Sequence, residues 1–164
     1  MKKTGNSLER HVVLMEPEVH WNTGNVGRTC LGANATLHLI KPLGFSIESK
    51  EVKRAGLDYW NDVDLKVWDN FNNFVEAMKP EAEELALFSK LGNHSFRDIP
   101  EARRLFLIFG SETKGLPDFL LKKYCNTIYH IPVSCKIRCL NLSTSVGIAL
   151  YESLRTAPEW HSWE

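Results

Sequence analysis

"LFLIF", Leu105–Phe109, runs directly into "GSETKGLP", Gly110–Pro117. The first five residues have no polar position and so no solvent face, which predicts a central strand covered on both sides. Glycines and small polar residues then turn the chain. Pro117 predicts the start of a short helix, because its missing N–H costs nothing there. An apolar strand that turns through glycine into a helix is the unit of a parallel α/β sheet.

Outward from this unit, further runs read as strands: His11–Glu16, Thr36–Lys41, Val63–Trp68, Leu85–Phe88 and Thr127–Ile131. Val63, Leu65 and Val67 alternate with Asp64, Lys66 and Trp68, which predicts a half-exposed strand with the first three inward. Phe71, Phe74, Val75 and Met78 recur at helical spacing, with Asn70 placed to cap the start and Pro80 after the end. The longest helix is predicted from about Asn141 to Arg155, with Leu142, Val146, Ala149, Leu150 and Leu154 near one face. The fold class is therefore α/β, a mostly parallel sheet flanked by helices. One domain is expected over residues 1–164, with residues 1–10 as an N-terminal extension and 156–164 as a tail.

The 164 residues are 43% hydrophobic and 24% charged, which suits a globular chain and not a disordered one. Formal net charge is zero, so a nucleic-acid partner would have to meet a local patch. No apolar run reaches the ~18 residues of a membrane span, and no signal-peptide core is visible. A cytoplasmic protein without a membrane partner is expected. Cys30, Cys125, Cys135 and Cys139 form no C-x-x-C pair and are read as reduced thiols. Cys125, His130, Cys135 and Cys139 have no common zinc spacing, so no metal is expected.

In open parallel sheets, sites lie beyond the carboxyl ends of strands. Three predicted loops there are rich in glycine or small polar residues: "NTGNVGR" (Asn22–Arg28), "GSETKGLP" (Gly110–Pro117) and "VSCKIRCLN" (Val133–Asn141). The first is close to a phosphate-binding P-loop and fails it. Asn22 stands at the first glycine position and Arg28 at the lysine, where a planar guanidinium is no equivalent for a compact ammonium. Asn22, Gly24 and Asn25 suit turns and caps. If Val26, Cys30 and Ala33 turn inward on a helix, Arg28 points nearly opposite. From this stretch alone, a solvated arginine and an anion contact both remain open.

Together the three loops resemble the three motifs of the SPOUT class of RNA 2′-O-methyltransferases, in the TrmH family. Asn22, Gly24, Asn25 and Arg28 look like its asparagine-rich loop with an arginine. "FGSETKGLP" is similar to F-G-x-E-x-x-G-L-P and supplies Gly110, Glu112, Gly115, Leu116 and Pro117. "IPVSCKIRCLNLSTSVGIALYE" resembles I-P…R-S-L-N-L-S-N-A-V…Y-E and supplies Ile131, Pro132, Arg138, Leu140, Asn141, Leu142, Ser143, Val146, Tyr151 and Glu152. "KPLGFSIESKEVKRAGLDYW" also looks like the small TrmL-type members, which methylate the ribose 2′-hydroxyl of the tRNA wobble nucleotide, cytidine or uridine 34.

The resemblance implies a C-terminal deep trefoil knot, a homodimer, and S-adenosyl-L-methionine bound in the knot. It places Leu87, Gly110, Glu112, Gly115, Ile131, Cys139, Leu140 and Asn141 at the cofactor, largely through backbone groups. Glu112 is expected to organise its own loop, and Asn141 also suits a helix N-cap. Arg28 is the implied catalytic residue, acting on tRNA with Asn22, Asn25, Arg138, Ser143 and Tyr151. Lys50, Lys53 and Arg54 read equally as an RNA contact or a solvated face. Arginine holds its proton in proteins, so a bidentate phosphate grip by Arg28 stands beside the role of base. Cys139 replaces the family's usual serine, "STS" replaces S-N-A, and the tail is acidic with Trp160 and Trp163. Methylation of another RNA such as rRNA, or a non-catalytic RNA-binding protein on this fold, are the alternative readings.

Overall fold

The computed structural model describes residues 8–48 and 59–157. Lys50, Lys53, Arg54, Trp160 and Trp163 lie outside the described residues. Seven strands form one sheet: β1 Glu9–Met15, β2 Thr36–Ile40, β3 Leu65–Trp68, β4 Leu85–Phe88, β5 His94–Ser95, β6 Arg104–Phe109 and β7 Ile128–His130. Their order is β3-β2-β1-β6-β4-β7-β5, and every pairing is parallel. Four helices are described: α1 His20–Gly32, α2 Phe71–Met78, α3 Asp118–Lys123 and α4 Leu142–Glu152.

β6 occupies the middle of the sheet, and Leu105, Leu107 and Phe109 pack on the opposite face from Phe106 and Ile108. The first set joins Val12, Leu14, Leu37 and Leu39 under α1 and α4, with Val26, Cys30, Val146 and Leu150. The second joins Val13, Met15, Ile40 and Leu87 under α2 and α3, with Phe71, Phe74 and Leu120. Strands buried on both faces need apolar residues at nearly every position, and β6 from Leu105 and β1 from Val12 have them. Asn70 caps α2 by accepting the Asn73 N–H at 2.9 Å, as its position predicts.

Several expectations are corrected. The loop expected at Asn22–Arg28 lies inside α1, which begins at His20 and is the longest described helix at 13 residues. Its glycines hide the helix from a propensity reading, since each costs about 1 kcal/mol against alanine. Gly27 is required for packing: a Cβ there would stand 2.6 Å from the Trp60 ring. β3 keeps its predicted parity, but as an edge strand its inward face is poorly covered, and Val67 is 38% exposed. Trp68, on the face read as polar, is the residue that packs, beside His38 and Phe74. The two-residue polar strand β5 was not expected; backbone pairing with β7 makes it.

The predicted extension at 1–10 also ends too late. Glu9 and Arg10 belong to β1, and Arg10 is 3% exposed. Its guanidinium donates to the carbonyls of Ala102, Arg103 and Ser153 at 3.1, 3.0 and 2.8 Å, and to Ser153 Oγ at 3.0 Å. A cation at the C-terminus of α4 is favourable and fixes that end of the helix. At the other margin, Ala157 is buried although it falls within the expected tail.

Candidate active site

Parallel strands deliver their carboxyl ends to one edge of the sheet. Order changes direction between β1, which leads to β2 on one side, and β6, whose other neighbour is β4. At such a point the loops after the two strands part and leave a crevice. The segment before α1 follows β1, and the Gly110–Leu116 loop follows β6.

These segments are bonded to each other. Glu112 Oε2 accepts the N–H of Glu18 at 2.8 Å, and Oε1 accepts the N–H of Val19 at 3.1 Å. Thr113 Oγ1 donates to the Glu18 carboxylate at 2.7 Å. Val19 is the N-cap of α1 and has no side-chain cap of its own, so Glu112 supplies from another loop the negative charge that a helix start favours. The expectation that Glu112 organises its own loop is therefore corrected. That loop closes on itself through Ser111 and Gly115, which exchange backbone hydrogen bonds at 3.2 and 3.0 Å. A side chain at Gly110 would place its Cβ 2.0 Å from the Gly115 carbonyl carbon, so the close approach demands glycine.

Asn22 carries the connection to the third segment. Its Nδ2 donates to Glu112 Oε1 at 3.3 Å, and its Oδ1 accepts from Asn141 Nδ2 at 3.0 Å. Asn141 Oδ1 in turn accepts the Ser143 N–H at 2.9 Å and the Ser143 hydroxyl at 2.7 Å, which makes Asn141 the N-cap of α4. All three predicted loops thus meet in one chain of bonds, Glu112–Asn22–Asn141–Ser143. Asn22 is 4% exposed with both ends of its amide used inside the protein. It was expected at the RNA; its position makes it a brace between loops instead.

Helices α1 and α4 lie side by side and run in the same direction. Asn22 meets Asn141 near their starts, Gly147 faces Thr29 midway, and Gly32 faces the Tyr151 hydroxyl near their ends. Both positive ends consequently point to the crevice. Val26, Cys30 and Ala33 face inward, and Trp21, Asn25, Arg28 and Leu31 form the exposed stripe. The guanidinium carbon of Arg28 lies over the Tyr59 ring, 5.5 Å from its centroid. Tyr151 is roughly 15 Å along α4 from Asn141 at 1.5 Å per residue, which places it away from the crevice.

The residues matched to a cofactor fall on adjacent strands. Gly110 follows β6, Leu87 lies in β4 and Ile131 follows β7; Leu87 pairs with Ile108 and with Ile128. Leu87 is fully buried, between strands on both sides. The stretch 132–139 is exposed throughout, including Arg138 and Cys139, with Leu140 half-buried. Among the described residues, its one backbone hydrogen bond is from the Ile137 N–H to the Ser134 carbonyl at 3.4 Å. Among the described residues, its remaining N–H and C=O groups make no backbone hydrogen bond. Among the described residues, no three of His, Cys, Asp or Glu gather as a metal set, and no helix is long and apolar enough to cross a membrane.

Burial pushes the Cys30 thiol up to about 12, which leaves it inert in the core. The residues that sequence reasoning missed here are Tyr59, whose ring lies in the sequence far from Arg28, and Glu18 and Thr113, which bond across loops. Nothing local in their sequence signals those pairings.

The sequence pattern of the SpoU rRNA Methylase family matches residues 9–151. A Listeria monocytogenes serotype 4b protein named "Putative tRNA (cytidine(34)-2'-O)-methyltransferase" is 46% identical over 151 residues, covering 90% of this chain and 88% of its own. A Burkholderia cenocepacia protein named tRNA (cytidine(34)-2'-O)-methyltransferase is 38% identical over 148 residues, covering 90% and 95%. A solved structure described as giving insights into the 2-OH methylation of C/U34 on tRNA superposes with a TM-score of 0.81 at 40% identity, covering 90% of this chain and 95% of that one.

Proposed function

The chain belongs to the SpoU rRNA methylase family, and from that premise we propose that it transfers a methyl group from S-adenosyl-L-methionine to the ribose 2′-hydroxyl of the wobble nucleotide of tRNA, in the cytoplasm, as a homodimer with the family's trefoil knot. The single domain would span residues 1–164. The observation that carries the reading is the bonded chain Glu112–Asn22–Asn141, which ties the start of α1, the helix that carries the exposed Arg28, to two separate loops. The named relatives supply the substrate.

When bound, the cofactor supplies an electrophilic methyl on a sulfonium. The backbone groups of Gly110, Ile131, Cys139 and Leu140, with Leu87 beneath, would hold its adenosine, and Asn141 and Gly115 would border it. Glu112 and Asn22 keep the loops in register. Arg28 would grip an RNA phosphate with two parallel N–H donors and so fix the ribose. Orientation of this kind can supply ~7–11 kcal/mol of the barrier. Asn25, one turn before Arg28 on the same stripe, Ser143 and Arg138 would complete the RNA contact, along with Lys50, Lys53 and Arg54. Tyr151, Leu31 and Trp21 stand on the outer side of α1 and α4, where 50%, 37% and 57% exposure suits a second copy of the chain.

Incubation with labelled S-adenosyl-L-methionine and bulk tRNA, followed by mapping of the modified nucleotide, tests this. Label at the ribose of nucleotide 34 is expected; label confined to ribosomal RNA, or none with no cofactor binding, overturns it. Arg28→Ala should lower kcat by at least about 10²-fold while the cofactor dissociation constant stays near wild type. A dissociation constant rising in step with the lost activity would move Arg28 to the other ligand. Sedimentation that finds only monomer at micromolar concentration would remove the dimer.

A further inference from the structure

We infer that Tyr59 is a positioning residue for Arg28: its ring carries the guanidinium in the orientation that meets an RNA phosphate. The inference rests on the reading above that Arg28 faces the RNA. Among the described residues, the Arg28 side chain makes no hydrogen bond or ion pair, and the Tyr59 ring is what its guanidinium lies over, at 5.5 Å. A planar guanidinium stacked by its face keeps its N–H donors along its edges, and those edges form the fork a phosphate accepts. The ring contact therefore holds the guanidinium over Tyr59 without using the donors. An ion pair to a carboxylate would fix the group and consume them.

The ring is itself held in place. Tyr59 is half-buried and packs against the larger core cluster. Its carbonyl accepts the Asp62 N–H at 3.0 Å, which starts the 3-10 turn Trp60–Asp62. The next residue, Trp60, is 9% exposed and lies so close to Gly27 that a Cβ there would be 2.6 Å from its ring. Consecutive residues thus pair across the interface: Trp60 on Gly27, Tyr59 under Arg28. The first contact locks the turn to α1, and the second uses that lock to orient the cation.

Tyr59→Leu, Tyr59→Phe and Tyr59→Trp separate this role from packing, each made in the wild-type and Arg28→Ala chains. Tyr59→Leu should lower kcat about 5–10-fold with a smaller change in KM for tRNA. Phe and Trp keep a ring and should restore kcat to within about twofold. In the Arg28→Ala background, Tyr59→Leu should cost nothing more, since the group it orients is gone. NMR of the Arg28 side chain gives a readout free of activity: an upfield ring-current shift in wild type and Tyr59→Phe, absent in Tyr59→Leu. An unshifted Arg28 signal, a Phe variant as impaired as Leu, or an equal Tyr59→Leu loss without Arg28 overturns the inference. A shifted signal in a chain that methylates no tRNA instead overturns the proposed function and leaves the positioning intact.

Discussion

Two buried polar networks sit within this one sheet, and they serve different ends. At the carboxyl edge, Glu112, Asn22 and Asn141 join the start of α1 to two loops that are far apart in sequence. Inside the face covered by α2, Trp68 Nε1–H donates to His38 Nδ1 at 3.0 Å, and His38 Nε2 lies 3.0 Å from His11 Nδ1. Tryptophan only donates, so His38 must carry its proton on Nε2 and pass that donor to His11. His11 also stacks on Phe106 at 4.5 Å. In each, one buried side chain uses both of its polar ends, the Asn22 amide in the first and the His38 ring in the second. One lies at the carboxyl edge of the sheet, and the other runs in a line among aromatic rings. Burial and hydrogen bonding alone therefore do not mark a functional site; position at the sheet's switch point, and the joining of separate loops, do.

The largest effect should come from Glu112→Ala. It strips the N–H groups of Glu18 and Val19, and the Asn22 amide, of a charged acceptor. Bonds to charged groups are worth ~1.5–3 kcal/mol each, and partial access of water reduces the sum to about 2–4 kcal/mol. Methyl transfer should fall more than 10-fold, by roughly the factor that ~1.4 kcal/mol of misplacement would give. A variant with wild-type melting and activity would put the edge network on a par with ordinary surface bonds. Asn22→Ala follows, at about 1–3 kcal/mol, because it leaves Asn141 Nδ2 unpaired. It should lower activity although Asn22 is buried and both ends of its amide are used inside the protein, and loss of RNA affinity without loss of stability would refute its role as a brace.

The core network should show itself through pH. Burial, and then the charge of His11, push His38 down from 6.5 to about 3. Lys66 pushes in the same direction and Asp64 against it, while His11 also reaches Glu84, which Arg104 holds below the usual carboxylate range. Between pH 3 and 6.5 the unfolded chain binds the proton and the folded chain does not. Stability is therefore complete above 6.5 and falls on acidification, by up to about 1.4 kcal/mol per pH unit for one group. Melting curves in 0.5-unit steps, roughly half of that slope each, measure it, and His38→Phe should flatten them. An unchanged slope would assign the acid sensitivity to other groups. The smallest effect is chemical: a thiol reagent should label Cys125, Cys135 and Cys139 in the folded chain and spare Cys30. S-adenosylhomocysteine should slow only Cys139. Early labelling of Cys30 would mean that α1 opens without global unfolding.

The sequence by itself determined the elements whose pattern is strong over a few residues. β6 reads as a central strand because no position is polar, and Asn70 and Asn141 read as caps because a short acceptor side chain before a helix has one good use. It also supplied the motifs that pointed to the right family. What it could not supply were facts created by distant residues meeting. The start of α1 was hidden by its glycines, of which Gly27 admits the Trp60 ring. β5 exists through its pairing with β7, and Arg10 is fixed by carbonyls over ninety positions away. The partner of Glu112 lies on another loop, and the ring beneath Arg28 comes from a turn beyond β2. Local pattern follows from backbone periodicity and the hydrophobic effect, which act on neighbours. The site depends on which loops the parallel sheet brings to one edge, and only the closed tertiary structure decides that.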